Sequence, residues 1–142
     1  MKNHFVLFDL DGTITDSSEG IVNSILYALG SMGKQEDDVD RLRSYIGPSL
    51  KDTFQNNYFP AEDQCKKAIA FYREYYATKG IFENKLYSGI SEVLKTIKSG
   101  GGVVALATAK PTYFAKIILQ YFGVESYFDT IVASHLKGTR TD

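Results

Sequence analysis

A run of four apolar residues, Phe5-Val6-Leu7-Phe8, passes without a break into Asp9-Leu10-Asp11-Gly12-Thr13. Nothing else in the chain restricts its fold as much. An unbroken apolar run of this length predicts a strand covered on both faces, as in a parallel sheet flanked by helices. In such sheets ligands bind in the crevice beyond the carboxyl ends of the strands. The two carboxylates and the glycine therefore stand where a site is expected.

Asp9 and Asp11 flank a single residue, so on an extended chain both point to the same side. Held as a pair they repel unless a cation lies beside them, and hard oxygen ligands favour Mg²⁺. One carboxylate of such a pair is suited to attack phosphorus while the other passes a proton to the leaving oxygen. Gly12 lets the backbone approach an anion, and the N–H groups of Gly12 and Thr13 are candidates to line a phosphate. A calcium loop also opens D-x-D, but it needs glycine in sixth place and glutamate in twelfth. Here the glycine is fourth and Gly20 stands twelfth, which argues against calcium.

Past this stretch the texture becomes helical. Ile21, Val22, Ile25, Leu26 and Leu29 recur at helical spacing, with stops at Gly30 and Gly33. A second helix carries Val39, Leu42 and Ile46 and ends at Gly47-Pro48. A third carries Leu50, Phe54 and Tyr58, and a longer fourth carries Cys65, Ala68, Ile69, Tyr72, Tyr75 and Tyr76. The tyrosine spacing is that of a core stripe. No strand is expected between Thr15 and Ile81. Lys51 and Arg73 read as solvated helix charges.

From Leu86 the pattern alternates again. Ile90, Val93, Leu94 and Ile97 mark a helix, Gly100-Gly101-Gly102 a stop, and Val103–Ala107 a strand. Thr108-Ala109-Lys110-Pro111 then leads into a helix with Phe114, Ala115, Ile118, Leu119 and Phe122. A hydroxyl and backbone N–H groups at a helix start form an anion site. Thr108, Ala109 and Lys110 are thus candidate phosphate-binding residues. A last strand spans residues 130–133. His4 and His135 have no partner at metal-ligand spacing.

The segment Asp9–Ser17 resembles the first motif of the haloacid dehalogenase superfamily, D-x-D-G-T-[IL]-x-D-S, and every specified position agrees. The strand ending at Thr108 resembles that superfamily's second motif. The wider chain looks like the phosphoglycolate phosphatase-like branch, which includes nucleotidases and pyrophosphatases. The resemblance implies an α/β fold, a partial Rossmann-like parallel sheet with an inserted all-helical cap. Residues 1–15 and 82–142 would form the core and residues 16–81 the cap, with the loop Tyr45–Ser49 facing substrate. It also implies a Mg²⁺-dependent hydrolase of small phosphorylated metabolites, with Asp9 as nucleophile and Asp11 as acid/base, both on the metal.

With 16 basic and 17 acidic residues, no net field draws the chain to nucleic acid or to anionic lipid. No apolar stretch is long enough to cross a bilayer, and the lone Cys65 suits a reducing compartment, so the expectation is a cytoplasmic protein. The family's third motif, a lysine, and its fourth, an acidic strand end, would lie past Asp142. Lys110, Lys137 and Arg140 are the nearby cations. The core alone, about 75 residues, is marginal for independent folding. The chain is therefore expected to be the front of a longer protein, weakly active by itself. It would otherwise be a non-catalytic fragment that forms a homo-oligomer through the open edge of its first strand. A sugar phosphomutase or a 5'-nucleotidase would use the same first two motifs.

Overall fold

The computed structural model describes residues 4–134; His135, Lys137 and Arg140 lie outside the described residues. The chain divides into two compact units. One is Ser17–Asn84. The other holds the described residues up to Asp16 and from Lys85 onward.

The sheet of the second unit has three parallel strands, β1 (Phe5–Phe8), β4 (Val103–Pro111) and β5 (Thr130–Ser134), in the order β1-β4-β5. Between them in sequence come the short strands β2 (Thr15–Asp16) and β3 (Lys85–Leu86) and the helices α5 (Ile90–Ser99) and α6 (Thr112–Tyr121). Both crossovers step across the sheet in one direction, so right-handed connections put α5 and α6 on one face. The burial agrees. Val104 and Leu106, alternating on that face, are fully buried along with Leu94, Ile97, Ile118 and Leu119.

The opposite face departs from the expectation of a strand covered on both sides. Phe5 and Leu7 of β1 are 64% and 59% exposed, and Val103, paired with Phe5, and Val132 of β5 are exposed too. β1 pairs only with β4 among the described strands, which makes it an edge strand. The open edge agrees with the expectation for the first strand; the exposed face does not, because an apolar run does not tell which of its two faces is covered.

Two smaller expectations also change. Thr15–Asp16, expected to carry no strand, pairs antiparallel with Lys85–Leu86. A two-residue ladder is too short to leave a period-2 pattern. The strand expected over Val103–Ala107 runs on to Pro111, which caps α6.

At the amino end of β4, Asp129 ties the sheet together. Its carboxylate accepts from Lys98 Nζ at 2.7 Å and from the Val104 N–H at 2.8 Å. Lys98 also donates to the Gly102 carbonyl at 3.0 Å.

The helical unit contains α1 (Ser18–Ser31), α2 (Val39–Arg43), α3 (Leu50–Asn57) and α4 (Glu62–Thr78). α1 packs on α4. Ile25, Ala28 and Leu29 on the first and Cys65, Ala68, Tyr72 and Tyr76 on the second are buried. The tyrosine stripe is core, with Tyr72 and Tyr76 stacked at 5.8 Å. Gly20 lies against the chain just past α4. A Cβ there would stand 1.9 Å from the Gly80 carbonyl oxygen, so only glycine fits without moving backbone.

The Tyr45–Ser49 loop is held at its start by a polar cluster. The buried Tyr45 hydroxyl meets Tyr58 at 2.9 Å and accepts from Arg41 Nε at 2.9 Å; Tyr58 donates to Glu36 at 2.5 Å. Burial pushes the Tyr58 phenol's pKa up, and the Glu36 bond adds to it. Among the described residues no helix is long and apolar enough to cross a membrane.

Candidate active site

The register of β1 on β4 decides where the candidate residues fall. Phe8 pairs with Leu106, so Asp9 and Asp11 leave β1 at the sheet end where Thr108, Ala109 and Lys110 leave the regular part of β4. The two segments, far apart in sequence, leave the carboxyl ends of neighbouring strands, and Asp11 and Lys110 meet there.

After β1 the chain turns sharply. The Leu10 carbonyl accepts from Thr13, Ile14 and Thr15 at 3.2, 2.9 and 3.1 Å. Gly12, at φ +83°, makes the turn possible, since a side chain there would be strained. The Gly12 N–H donates to the Thr15 carbonyl at 2.8 Å, and the Thr13 N–H is one of those held by Leu10. Both N–H groups are therefore engaged within the turn, whereas the sequence alone offers them to a phosphate. The side chains of Leu10 and Ile14 are fully buried and anchor the loop.

The carboxylates face different surroundings. Asp9 is exposed, and its Oδ1 accepts from the Leu10 N–H at 2.7 Å. Asp11 is half-buried. Its Oδ2 lies 3.4 Å from Lys110 Nζ, with Lys110 only 11% and Asp11 32% exposed. Its Oδ1 is buried and has no hydrogen-bond partner. A buried carboxylate oxygen without a donor is costly, and such atoms mark places where a missing ligand belongs.

On β4 the ladder to β5 shifts register between Ala107 and Pro111, four residues on one strand matching two on the other. Thr108, Ala109 and Lys110 fall in this irregular stretch. Bulges of this kind re-aim side chains next to sites. The Thr108 hydroxyl accepts from the Lys110 N–H at 3.1 Å, which fixes the bend that sends the Lys110 ammonium to Asp11. That ion pair is what the sequence could not show. It depends on β1 and β4 being neighbours, and no local signal carries it.

The profile of the haloacid dehalogenase-like hydrolases matches residues 6–138. The chain belongs to that family. Among curated relatives of this haloacid dehalogenase-like chain is a 5'-nucleotidase of Pseudomonas aeruginosa, 40% identical over 136 residues, which cover 96% of this chain and 62% of the nucleotidase. The tyrosine-protein kinase PtkA of Mycobacterium tuberculosis is 35% identical over 135 residues, 95% of this chain and 46% of the kinase. Among solved structures, a Clostridium difficile protein assigned as a phosphatase superposes with a TM-score of 0.91 at 47% identity. The match covers 99% of this chain and 65% of that one. The chain thus spans less than two thirds of the length of these relatives.

Proposed function

We propose that this haloacid dehalogenase-like chain carries the phosphoryl-accepting part of a phosphoglycolate phosphatase-like phosphomonoesterase, acting on small phosphorylated metabolites through an aspartyl-phosphate. The observation that supports this most is the meeting of Asp11 and Lys110 at 3.4 Å beside Asp9 and Thr108, at the carboxyl end of a parallel sheet.

In this reading an Asp9 oxygen attacks phosphorus and the bond from phosphorus to the ester oxygen breaks. Asp11 gives a proton to the departing oxygen, which leaves as an alcohol. Water then attacks the same phosphorus and loses its proton to Asp11, and the acyl-phosphate bond breaks. Phosphate and the Asp9 carboxylate are restored. The Lys110 ammonium stabilises charge that grows on the phosphoryl oxygens, and Thr108 and the Ala109 N–H orient them. Gly12 and Thr13 act by shaping the turn that presents both carboxylates.

The donor set suits Mg²⁺. Among the described residues no group of three or more His, Cys, Asp or Glu side chains stands together. Magnesium, however, commonly takes one or two carboxylates and fills its shell with water and phosphate oxygens. Asp9 would supply such a carboxylate and Asp11 its main-chain carbonyl, which leaves the Asp11 carboxyl, with its unpartnered Oδ1, to carry the proton. When bound, the ion would neutralise charge between the carboxylates and the phosphate.

Replacing Asp9→Asn tests the reading. In the complete protein, hydrolysis of p-nitrophenyl phosphate should vanish while the circular dichroism spectrum stays unchanged; unchanged turnover sinks it.

A second reading is favoured by the exposed Phe5 and Leu7 on an unpaired edge. The chain would associate through β1 as a homo-oligomer without catalysis. Light scattering separates the two, because a monomeric, soluble chain removes the edge argument.

A further inference from the structure

The helical unit holds a cavity of its own. It has a volume of about 330 Å³, lies on the α3 and α4 side of the unit, and is within the range that small-molecule sites occupy. Its rim is one-sided in charge. Lys51 of α3 and Lys66 and Arg73 of α4 line it, with Gln55 as a further donor, against the single acid Glu62. Glu62 and Lys66 form an exposed pair at 3.8 Å, and three of the four charged side chains that line the cavity are basic.

The floor is apolar. Ile69 and Cys65 lie between the charged positions, and Cys65 is packed with its sulfur 3.7 Å from the Lys51 carbonyl. Burial pushes its thiol pKa up, so it adds no charge. Lys66 and Arg73 stand two helical turns apart on α4, about 10 Å, with Ile69 between them. A charge on a lone helix is ordinarily solvated. Cations that reach one concave apolar patch from two helices make a different environment, because the low-dielectric floor strengthens their pull on an anion.

We propose that this groove binds a small organic anion, its compact apolar body on Ile69 and Cys65 and its phosphate or carboxylate group between Lys51 and Arg73. The proposal does not depend on the phosphatase reading, since all its residues belong to the helical unit.

Methyl NMR on the full chain tests it by following Ile69 during titration with phenylphosphonate, benzoate and neutral benzyl alcohol. At least one of the two anions should shift the Ile69 methyl saturably, and benzyl alcohol should not. The double variant Lys51→Gln/Arg73→Gln should bind at least tenfold more weakly with its circular dichroism intact. Ala70→Trp, which fills the groove from an exposed position, should abolish the shift. A response to phenylphosphonate alone identifies a phosphate site, and to benzoate alone a carboxylate site. Three results overturn the proposal: an Ile69 methyl that ignores both anions, an equal response to benzyl alcohol, or undiminished binding by the double variant.

Discussion

Replacing Lys110→Met removes the cation beside Asp11 while keeping most of the side chain's apolar length. At 3.4 Å the gross attraction of the pair is about 5 kcal/mol for an effective dielectric constant near 20. Desolvation of two partly buried groups cancels much of it, and the partial exposure of Asp11 weakens it further, leaving a net loss of about 1–3 kcal/mol. The variant should therefore melt several degrees lower, at about 2–4 °C per kcal/mol. The sign of the Mg²⁺ response is the sharper readout. In the parent chain a divalent ion held at Asp9 and Asp11 is repelled by the ammonium beside Asp11. In the variant that repulsion is gone, so Mg²⁺ should bind more tightly and raise the melting temperature more than in the parent. Differential scanning calorimetry with and without Mg²⁺ reads both effects. An unchanged melting temperature together with an unchanged Mg²⁺ increment would show that Lys110 does not sit against Asp11, and the site as described would be wrong.

Other outcomes follow from packing and charge away from the site. Gly20→Ala drives a Cβ to 1.9 Å from a backbone oxygen, so chemical denaturation should show a loss at or above the upper end of the about 1–3 kcal/mol typical of overpacking. Gly30→Ala, in the same helix with nothing within 4 Å, should instead stabilise by about 0.5–1 kcal/mol. For Asp129 the Lys98 bond, then the Val104 N–H, holds the carboxyl below its ordinary pKa. A depressed folded-state value gives stability that is complete above the unfolded-state value and lost as pH falls through the folded one. The stability gap between the parent and Asp129→Asn should therefore close below about pH 4, and a pH-independent gap would contradict it.

How much of this was legible in the sequence differs from one element to the next. The helices α1, α3 and α4 were readable because each buries one stripe, and Ile25, Leu29, Cys65 and Tyr72 fall where a 3.6-residue period puts them; α2, expected to carry Val39, Leu42 and Ile46, ends at Arg43 and buries only Leu42. The strands at Phe5 and Val103 were readable as apolar runs. The open edge of β1 was expected, but the bare face carrying Phe5 and Leu7 was not, since its exposure depends on what packs over that face and not on the strand's own residues. At the candidate site the acids, Thr108 and Lys110 could be named from motif and spacing. The Asp11–Lys110 contact and the use of the Gly12 and Thr13 N–H groups inside the turn could not, because the first requires tertiary pairing and the second requires backbone geometry. Lys51 and Arg73 read as separate surface charges for the same reason, since only the placement of α3 and α4 brings them to one groove.

The central claim is that Asp9 receives the phosphoryl group, and chemical trapping tests it most directly. The full chain is incubated with Mg²⁺ and acetyl phosphate, then quenched with borohydride, which reduces an acyl phosphate to an alcohol. Peptide mass spectrometry should find homoserine at position 9 and an intact aspartate at position 11. An unreduced Asp9, or reduction at Asp11 in its place, would contradict the account.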